Sequence, residues 1–206
     1  MENTENQSCS TELLILRAAE KEFLEKGFSG AKTTTIAEAA GVTHAMLHYY
    51  YRTKEKLFDT IVTDKIEQLG DILIGSIGNP ELPLKERVRE GIERHFDYLA
   101  AHPLLPRFIV NELAERPGRI RPIQEQLLKK AGNFVENVRR ELQATGAADI
   151  DPVMILSDVI SLNVFPFLAA PMVRQLATGF YGDYREYLDM RKRENVRTIL
   201  KKLNLE

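Results

Sequence analysis

Apolar residues along this chain recur at spacings of three and four, which is typical of helices with one buried face. No segment alternates with the two-residue period of a strand. The first clear segment runs from Thr11 to Lys26 and meets a stop signal at Gly27. Later segments are separated by Pro and Gly and cover residues 54–74, 84–101, 104–116, 120–144, 152–177 and 183–203. The pattern predicts an all-α protein of about nine helices.

Two short helical patterns stand close together near residue 40. The first runs from Thr34 to Ala40 and the second from Thr43 to Tyr50, with Gly41 and Val42 between them. Glycine adopts the positive φ that a sharp turn between helices requires, and Thr43 can cap the helix that follows. This arrangement predicts a helix-turn-helix, in which the second helix is free to enter the major groove of DNA.

Two local signals set helix boundaries further along the chain. Thr53 precedes the long pattern that starts at Lys54, so we expect it to cap that helix. Pro166 lies inside the segment 152–177. Because proline has no backbone N–H and clashes with the preceding turn, we expect it to kink or split that helix.

The overall charge argues against a protein that binds nucleic acid over its whole surface. The 206 residues include 28 basic and 30 acidic side chains, and 44% of the chain is hydrophobic, as in an ordinary globular protein. The basic excess is local, because Lys26 to Lys56 holds five basic and two acidic residues. Any contact with DNA is therefore expected at the predicted helix-turn-helix.

The N-terminal segment and the cysteine content bear on location. Residues 1–10 are polar and lack the apolar run of a secretion signal, so we expect a disordered tail. Cys9 is the only cysteine, which excludes an internal disulfide and favours a cytoplasmic protein. The longest apolar stretch, 153–173, is interrupted by polar residues and prolines, which predicts a buried helix and no membrane span.

Three sequence blocks carry a family resemblance: AAEKEFLEKGFSG, then IAEAAGV, then LHYYYRTKEKLF. Over about residues 14–61 they resemble the DNA-binding region of the TetR family of transcriptional regulators, without a gap. Beyond Ile61 the chain agrees with the family only in its length and its helical character. The resemblance implies a helix-turn-helix DNA-binding domain at residues 11–56 and a helical ligand-binding and dimerisation domain at residues 57–206.

The resemblance also implies which side chains meet DNA. Thr33, beside Lys32, would contact phosphate at the start of the first motif helix, and Tyr49, Tyr50 and Lys54 would contact phosphate near the second. Phosphate contacts set position, and only groove-facing side chains read sequence. The residues implied on the groove face are Thr43, His44, Ala45 and His48.

This chain departs from the family pattern at three points. Ala31 and Lys32 stand where Thr and Ser are usual, so the cap of the first motif helix is expected at Thr33 or in a capping box between Thr35 and Glu38. His48 replaces a usual tyrosine with a shorter group whose charge depends on pH. Tyr51 replaces a usual phenylalanine and is expected in the core. For the other candidate DNA-contact residues, the alternative roles are to cap a helix, to pack in the core or to lie on the solvated surface.

Polar residues within apolar surroundings of the larger half are candidates for a ligand site, because pockets combine apolar walls with a few polar groups. The alternative is that they are ordinary core residues and satisfied polar groups. The candidate ligand-binding residues are Phe96, Arg107, Phe108, Asn111, Met154 and Asp158.

These observations predict a homodimeric, DNA-binding repressor that a small molecule releases from an inverted-repeat operator. The dimer is expected through the last two long helices, by way of residues 152–165 and the apolar side chains of residues 184–203. The alternative is a helical DNA-binding or interaction protein without ligand response. An enzyme is disfavoured, because no nucleophile elbow, phosphate loop, HExxH or cysteine-rich metal spacing occurs, and we predict no cofactor or metal.

Overall fold

A computed structural model of the chain describes residues 2–79, 81–115, 117–144 and 149–205. Within its helices, the side chains of residues 2–9, 117, 119, 120, 122–124, 126, 127 and 133 are outside the description. All regular elements of the described residues are helical. They are α1 Glu2–Gly30, α2 Thr33–Ala39, α3 His44–Tyr50, α4 Lys54–Ile77, α5 Leu84–Ala101, α6 Leu105–Glu115, α7 Pro117–Ala144, α8 Pro152–Leu168, α9 Ala170–Tyr181 and α10 Tyr184–Lys202. The predicted all-α class is confirmed.

Backbone contacts divide the chain into two compact units. The first unit comprises Met1–Ile66 and Asn111–Ile120, and the second comprises Glu67–Val110 and Arg121–Glu206. The predicted boundary at residue 56 differs from this division, which falls inside α4. The reason is packing: Phe58 of α4 lies in the core of the first unit, with its ring centroid 4.8 Å from that of Phe23.

Helix α1 is longer than the sequence pattern predicts. It begins at Glu2, so residues 2–10 are helical where a disordered tail is expected. Residues 2–10 contain no Gly or Pro, and nothing in them stops a helix. The stop signal at Gly27 is confirmed, because this residue leaves the helical conformation with φ 67° and ψ 178°. Phe28 then packs on Phe58, with ring centroids 5.0 Å apart.

The helix-turn-helix forms as the sequence predicts, with α2 and α3 in its two positions. Gly41 has φ +67° in the turn, and the Val42 N–H donates to the Ala37 carbonyl at 3.0 Å. Thr43 caps α3, because its Oγ1 accepts from the Met46 N–H at 3.2 Å. Thr53 caps α4 in the same way, accepting from the Lys56 N–H at 3.1 Å.

The main core of the second unit is formed by residues of α4, α5, α7, α8 and α10. A smaller cluster contains Phe96, Leu99 and Phe167. A buried polar network joins three of these helices. Asn163 Nδ2 donates to the Ile92 carbonyl at 3.0 Å and lies 3.1 Å from His95 Nδ1, while Asn195 Nδ2 donates to Asn163 Oδ1 at 2.9 Å. Burial lowers the pKa of His95 to about 4, so its ring is neutral in this network.

The helix predicted over residues 152–177 is split, but not at Pro166, which lies inside α8. The break lies at Ala169, and α8 and α9 are bent by 82°. Pro171, in the first turn of α9, has no N–H to donate to the Phe167 carbonyl, and the Ala169 N–H donates to Phe165 at 3.0 Å. No single helix of the described residues is long and apolar enough to cross a membrane; α8 and α9 meet that test only as a bent pair.

Candidate nucleic-acid interface

Helix α3 buries one of its side chains fully in the first unit. Leu47 is fully buried, and it is the one buried residue among the seven of the helix. His44, Ala45 and His48 are exposed, as is the N-cap Thr43. The structure therefore presents to solvent the side chains predicted for the groove face.

The three consecutive tyrosines that end the helix-turn-helix have different environments. Tyr49 is 82% exposed, and Tyr50 is half-buried with its ring centroid 5.5 Å from that of Tyr49. Tyr51 is buried, as predicted, and its hydroxyl donates to Glu12 Oε1 at 3.0 Å. Burial and the neighbouring Glu12 carboxylate raise the pKa of Tyr51 above its ordinary value. Only Tyr49 and Tyr50 are therefore accessible to a ligand outside the domain.

The two histidines of α3 are held by polar contacts. His44 Nε2 lies 3.0 Å from Thr33 Oγ1, which joins the start of α2 to α3. His48 Nδ1 lies 3.2 Å from the carbonyl oxygen of Arg52. The rings of His44 and His48 meet edge to face, with centroids 4.4 Å apart. Both imidazoles are thus oriented before any ligand arrives.

The start of α2 differs from the capping predicted for it. The N-cap is Lys32, and no side chain caps the helix, so the predictions for Thr33 and for a Thr35–Glu38 capping box are wrong. The Lys32 N–H donates instead to Glu22 Oε1 at 3.2 Å. This contact spans ten residues and leaves no periodic signal in the sequence.

Glu22 is a buried carboxylate whose charge is compensated by two hydrogen-bond donors, the Lys26 ammonium group and the Lys32 N–H. It is 7% exposed, and both of its oxygens lie 2.9 Å from Lys26 Nζ. Burial alone raises the pKa of Glu22, but the hydrogen bonds from Lys26 and from the Lys32 N–H outweigh it and hold the pKa below the ordinary 4.5. The spacing of four between Glu22 and Lys26 is the one sequence signal for this site.

The predicted positive charge at this surface is present. Lys32, Arg52 and Lys56 are exposed. Lys54 is half-buried, and its Nζ lies 4.7 Å from the centroid of the Phe28 ring. The aromatic face attracts the ammonium group and fixes its place at the start of α4. The alternative of an ordinary exposed lysine at this position does not hold.

Comparison with known proteins identifies this domain. The family model for bacterial regulatory proteins of the tetR family matches residues 15–61. Residues 15–61 are a TetR-family domain. The transcriptional repressor NicS of Pseudomonas putida is 32% identical over 92 residues, which are 43% of this chain and 42% of NicS. The repressor SCO4008 of Streptomyces coelicolor is 32% identical over 100 residues, or 48% of each chain. The alignments therefore span less than half of either relative.

Solved structures extend the likeness beyond the TetR-family domain to the whole fold. The Streptomyces coelicolor protein SCO4942 has a TM-score of 0.73 at 21% identity, covering 93% of this chain and 97% of that one. The regulator FadR from Bacillus subtilis, solved with stearoyl-CoA, has a TM-score of 0.62 at 21% identity, covering 90% and 97%. At these identities the likeness establishes the fold alone.

The six candidate ligand residues outside the TetR-family domain do not form one cluster in the described contacts. Phe96 is buried against Phe167, with ring centroids 5.2 Å apart, and Phe108 is also buried. Arg107, Asn111 and Met154 are exposed. Asp158 pairs with Lys202. A role for these residues in ligand binding stays a prediction.

We expect Glu22→Gln to lower the free energy of unfolding by about 1–3 kcal/mol at neutral pH, because a buried charge-assisted hydrogen-bond set is weakened. The depressed pKa means that this stabilisation is present above the unfolded pKa and is lost as pH falls through the folded value. The difference between wild type and variant, measured by urea denaturation, should therefore shrink below the ordinary pKa of 4.5.

Glu25→Gln is the matched control, because Glu25 lies on the same helix and is exposed. Its effect should be within about 0.5 kcal/mol. Equal effects of the two variants, or a pH-independent effect of Glu22→Gln, would contradict the assignment.

Proposed function

We propose that this protein is a TetR-family transcriptional regulator, which binds an inverted-repeat DNA site in the cytoplasm as a homodimer and is released by a small molecule. The observation that carries this proposal is the geometry of α3 within the matched domain. Leu47 faces inward, and His44 and His48 face outward from an otherwise exposed helix. This is the disposition that a helix needs to read base edges in the major groove.

The side chains around α3 supply the phosphate contacts that such a helix needs. Lys32 and Thr33 stand at the start of α2, Tyr49 and Tyr50 at the end of α3, and Lys54 at the start of α4. In this proposal they grip the phosphates on either side of the groove and set the depth and register of α3. The local positive charge favours this role within a chain of net charge −2.

A single helix of seven residues makes too few base contacts for specific binding, so two copies must act together. The dimer surface predicted on α10 needs correction. Val196, Ile199, Leu200 and Leu203 are buried in the core of their own unit and are unavailable to a partner. Among the described residues, exposed apolar side chains are concentrated instead on α8 and α9.

Helix α8 carries apolar residues on two faces, as the sequence predicts. Ile155 and Val159 are buried in the core, whereas Met154, Ile160 and Phe165 are 42–53% exposed on the outside. Phe165 also lines an open groove of about 510 Å³. The other residues that line this groove are Met172, Val173, Leu176, Ala177, Phe180, Tyr181 and Tyr187. We assign this surface, called here the α8–α9 surface, to the second copy.

Ligand response follows from the connection between the two units. Helix α4 begins in the TetR-family domain and ends in the second unit, so a change in the second unit reaches the first through a continuous helix. A small molecule that prefers one arrangement of the second unit shifts the protein towards it by differential affinity. The FadR neighbour, solved with stearoyl-CoA, makes a long acyl thioester a reasonable first probe.

Selection of random duplexes by the purified protein tests DNA binding. The selected sites should be inverted repeats, with half-site centres about 34–36 Å apart or at a multiple of that distance. Lys32→Ala should weaken binding to all selected sequences alike and lower the slope of log affinity against log salt by about 1. Lys201→Ala, an exposed lysine on α10, is the control and should leave the slope unchanged. Failure to enrich any sequence would refute the proposed function.

Analytical ultracentrifugation tests the α8–α9 surface. Leu176→Glu and Phe180→Glu place charges on side chains that are 52% and 81% exposed in one copy, and a partner would bury them. Burying a Leu or Phe contributes about 1.5–3 kcal/mol, so each variant should raise the dimer dissociation constant at least tenfold. Leu128→Glu, at 70% exposure on α7, should leave it unchanged. A dimer insensitive to both α9 variants would place the interface elsewhere.

A thermal-shift screen that begins with stearoyl-CoA tests the ligand response. A ligand at a hundredfold excess over its dissociation constant stabilises the protein by about 2.7 kcal/mol and should raise its melting temperature. The same compound should release the protein from the selected duplex. Compounds that stabilise the protein while leaving the DNA complex intact would favour a regulator without ligand response.

A further inference from the structure

We propose that His48 Nε2 accepts a hydrogen bond from an exocyclic amino group, that of adenine or of cytosine, at one base pair in each half-site. This inference rests on the proposed function and names the sequence preference of its DNA-reading surface. The geometry that carries it is the contact between His48 Nδ1 and the Arg52 carbonyl at 3.2 Å.

That contact fixes the tautomer of His48. A backbone carbonyl oxygen only accepts hydrogen bonds, so Nδ1 must carry the proton and donate it. In the neutral imidazole the other nitrogen, Nε2, then holds a lone pair and accepts. Among the described residues Nε2 of His48 has no hydrogen-bond partner, and the side chain is exposed. The groove face of α3 therefore presents an acceptor at this position.

The major groove distinguishes the four bases by their donors and acceptors. Adenine offers the N6 amino group and cytosine the N4 amino group as donors, whereas guanine and thymine offer acceptors at O6, N7 or O4. Each base pair carries one such amino group, and its place in the groove depends on the pair and on its orientation. An acceptor held at one place, such as His48 Nε2, is therefore complementary to one orientation of a pair and faces another acceptor in the reverse orientation. The preference arises as much from this mismatch as from the bond.

The ring of His48 is also held in place, which favours selective binding. The His44 ring packs edge to face against it, with ring centroids 4.4 Å apart and ring planes at 84°. His44 is itself held by Thr33 Oγ1, 3.0 Å from His44 Nε2. Little side-chain freedom remains to be lost on binding, so the hydrogen bond is formed at a reduced entropic cost.

The first test is the identity of the selected base pair, measured at about pH 8 with wild-type protein and with His48→Ala. We expect wild type to enrich one base pair, in one orientation, at the position that His48 meets in each half-site. His48→Ala should still select the inverted repeat but lose the preference at that position alone. An unchanged profile in His48→Ala overturns the inference.

The second test removes the amino group itself. The selected adenine is replaced by purine, or the selected cytosine by 2-pyrimidinone, and the affinity is measured by fluorescence anisotropy. The replacement should weaken wild-type binding by roughly three- to tenfold, the range of one hydrogen bond, beyond any loss seen with His48→Ala. Met46→Ala, another exposed position of α3, should retain the full loss.

These outcomes distinguish the role of His48 from the proposed function of the whole protein. Equal losses for wild type and His48→Ala refute the role of His48 and leave the proposed regulator intact. Wild-type protein that selects no sequence at all refutes the proposed function as well.

Discussion

Helix α3 is held to its unit mainly by the burial of Leu47. A helix of seven residues is marginal in water by itself, because nucleation costs more than so few backbone hydrogen bonds return. Leu47 is fully buried, and the chain leaves α3 through Tyr51, which is also buried and whose N–H donates to the Leu47 carbonyl at 2.8 Å. The other side chains of α3, except the half-buried Tyr50, are exposed, and every functional conclusion depends on that division.

Burial fixes where α3 sits, and a series of polar contacts fixes how its side chains point. The series starts at Glu22, which holds the backbone of Lys32, continues through Thr33 to His44, and ends where His48 donates to the Arg52 carbonyl. The exposed histidines of α3 are thus held in a defined orientation at the surface of the domain.

The helix-turn-helix could be predicted because its signals are local. Gly41 and Thr43 act within one turn of chain, and Ile36 and Leu47 each lie on the buried face of their own short helix. The contacts that orient the site could not be predicted in this way. Glu22 meets a backbone N–H ten residues away, and Thr33 meets a side chain eleven residues away, both across a change of direction.

The same distinction applies to the larger unit. Its helices follow the apolar period, and the break at Ala169 follows from the N–H group that Pro171 lacks. Which apolar face of α8 meets the core and which stays outside could not be predicted, because both faces carry apolar residues. Only the packing shows that Val196, Ile199 and Leu200 of α10 are buried in the core of their own unit.

The most direct measurement is the structure of the protein bound to a duplex that it has selected. The account predicts α3 of both copies in successive major-groove faces, with Leu47 turned away from the DNA and His48 Nε2 within hydrogen-bond distance of a base amino group. A complex in which α3 lies outside the groove, or in which one copy binds alone, would contradict it.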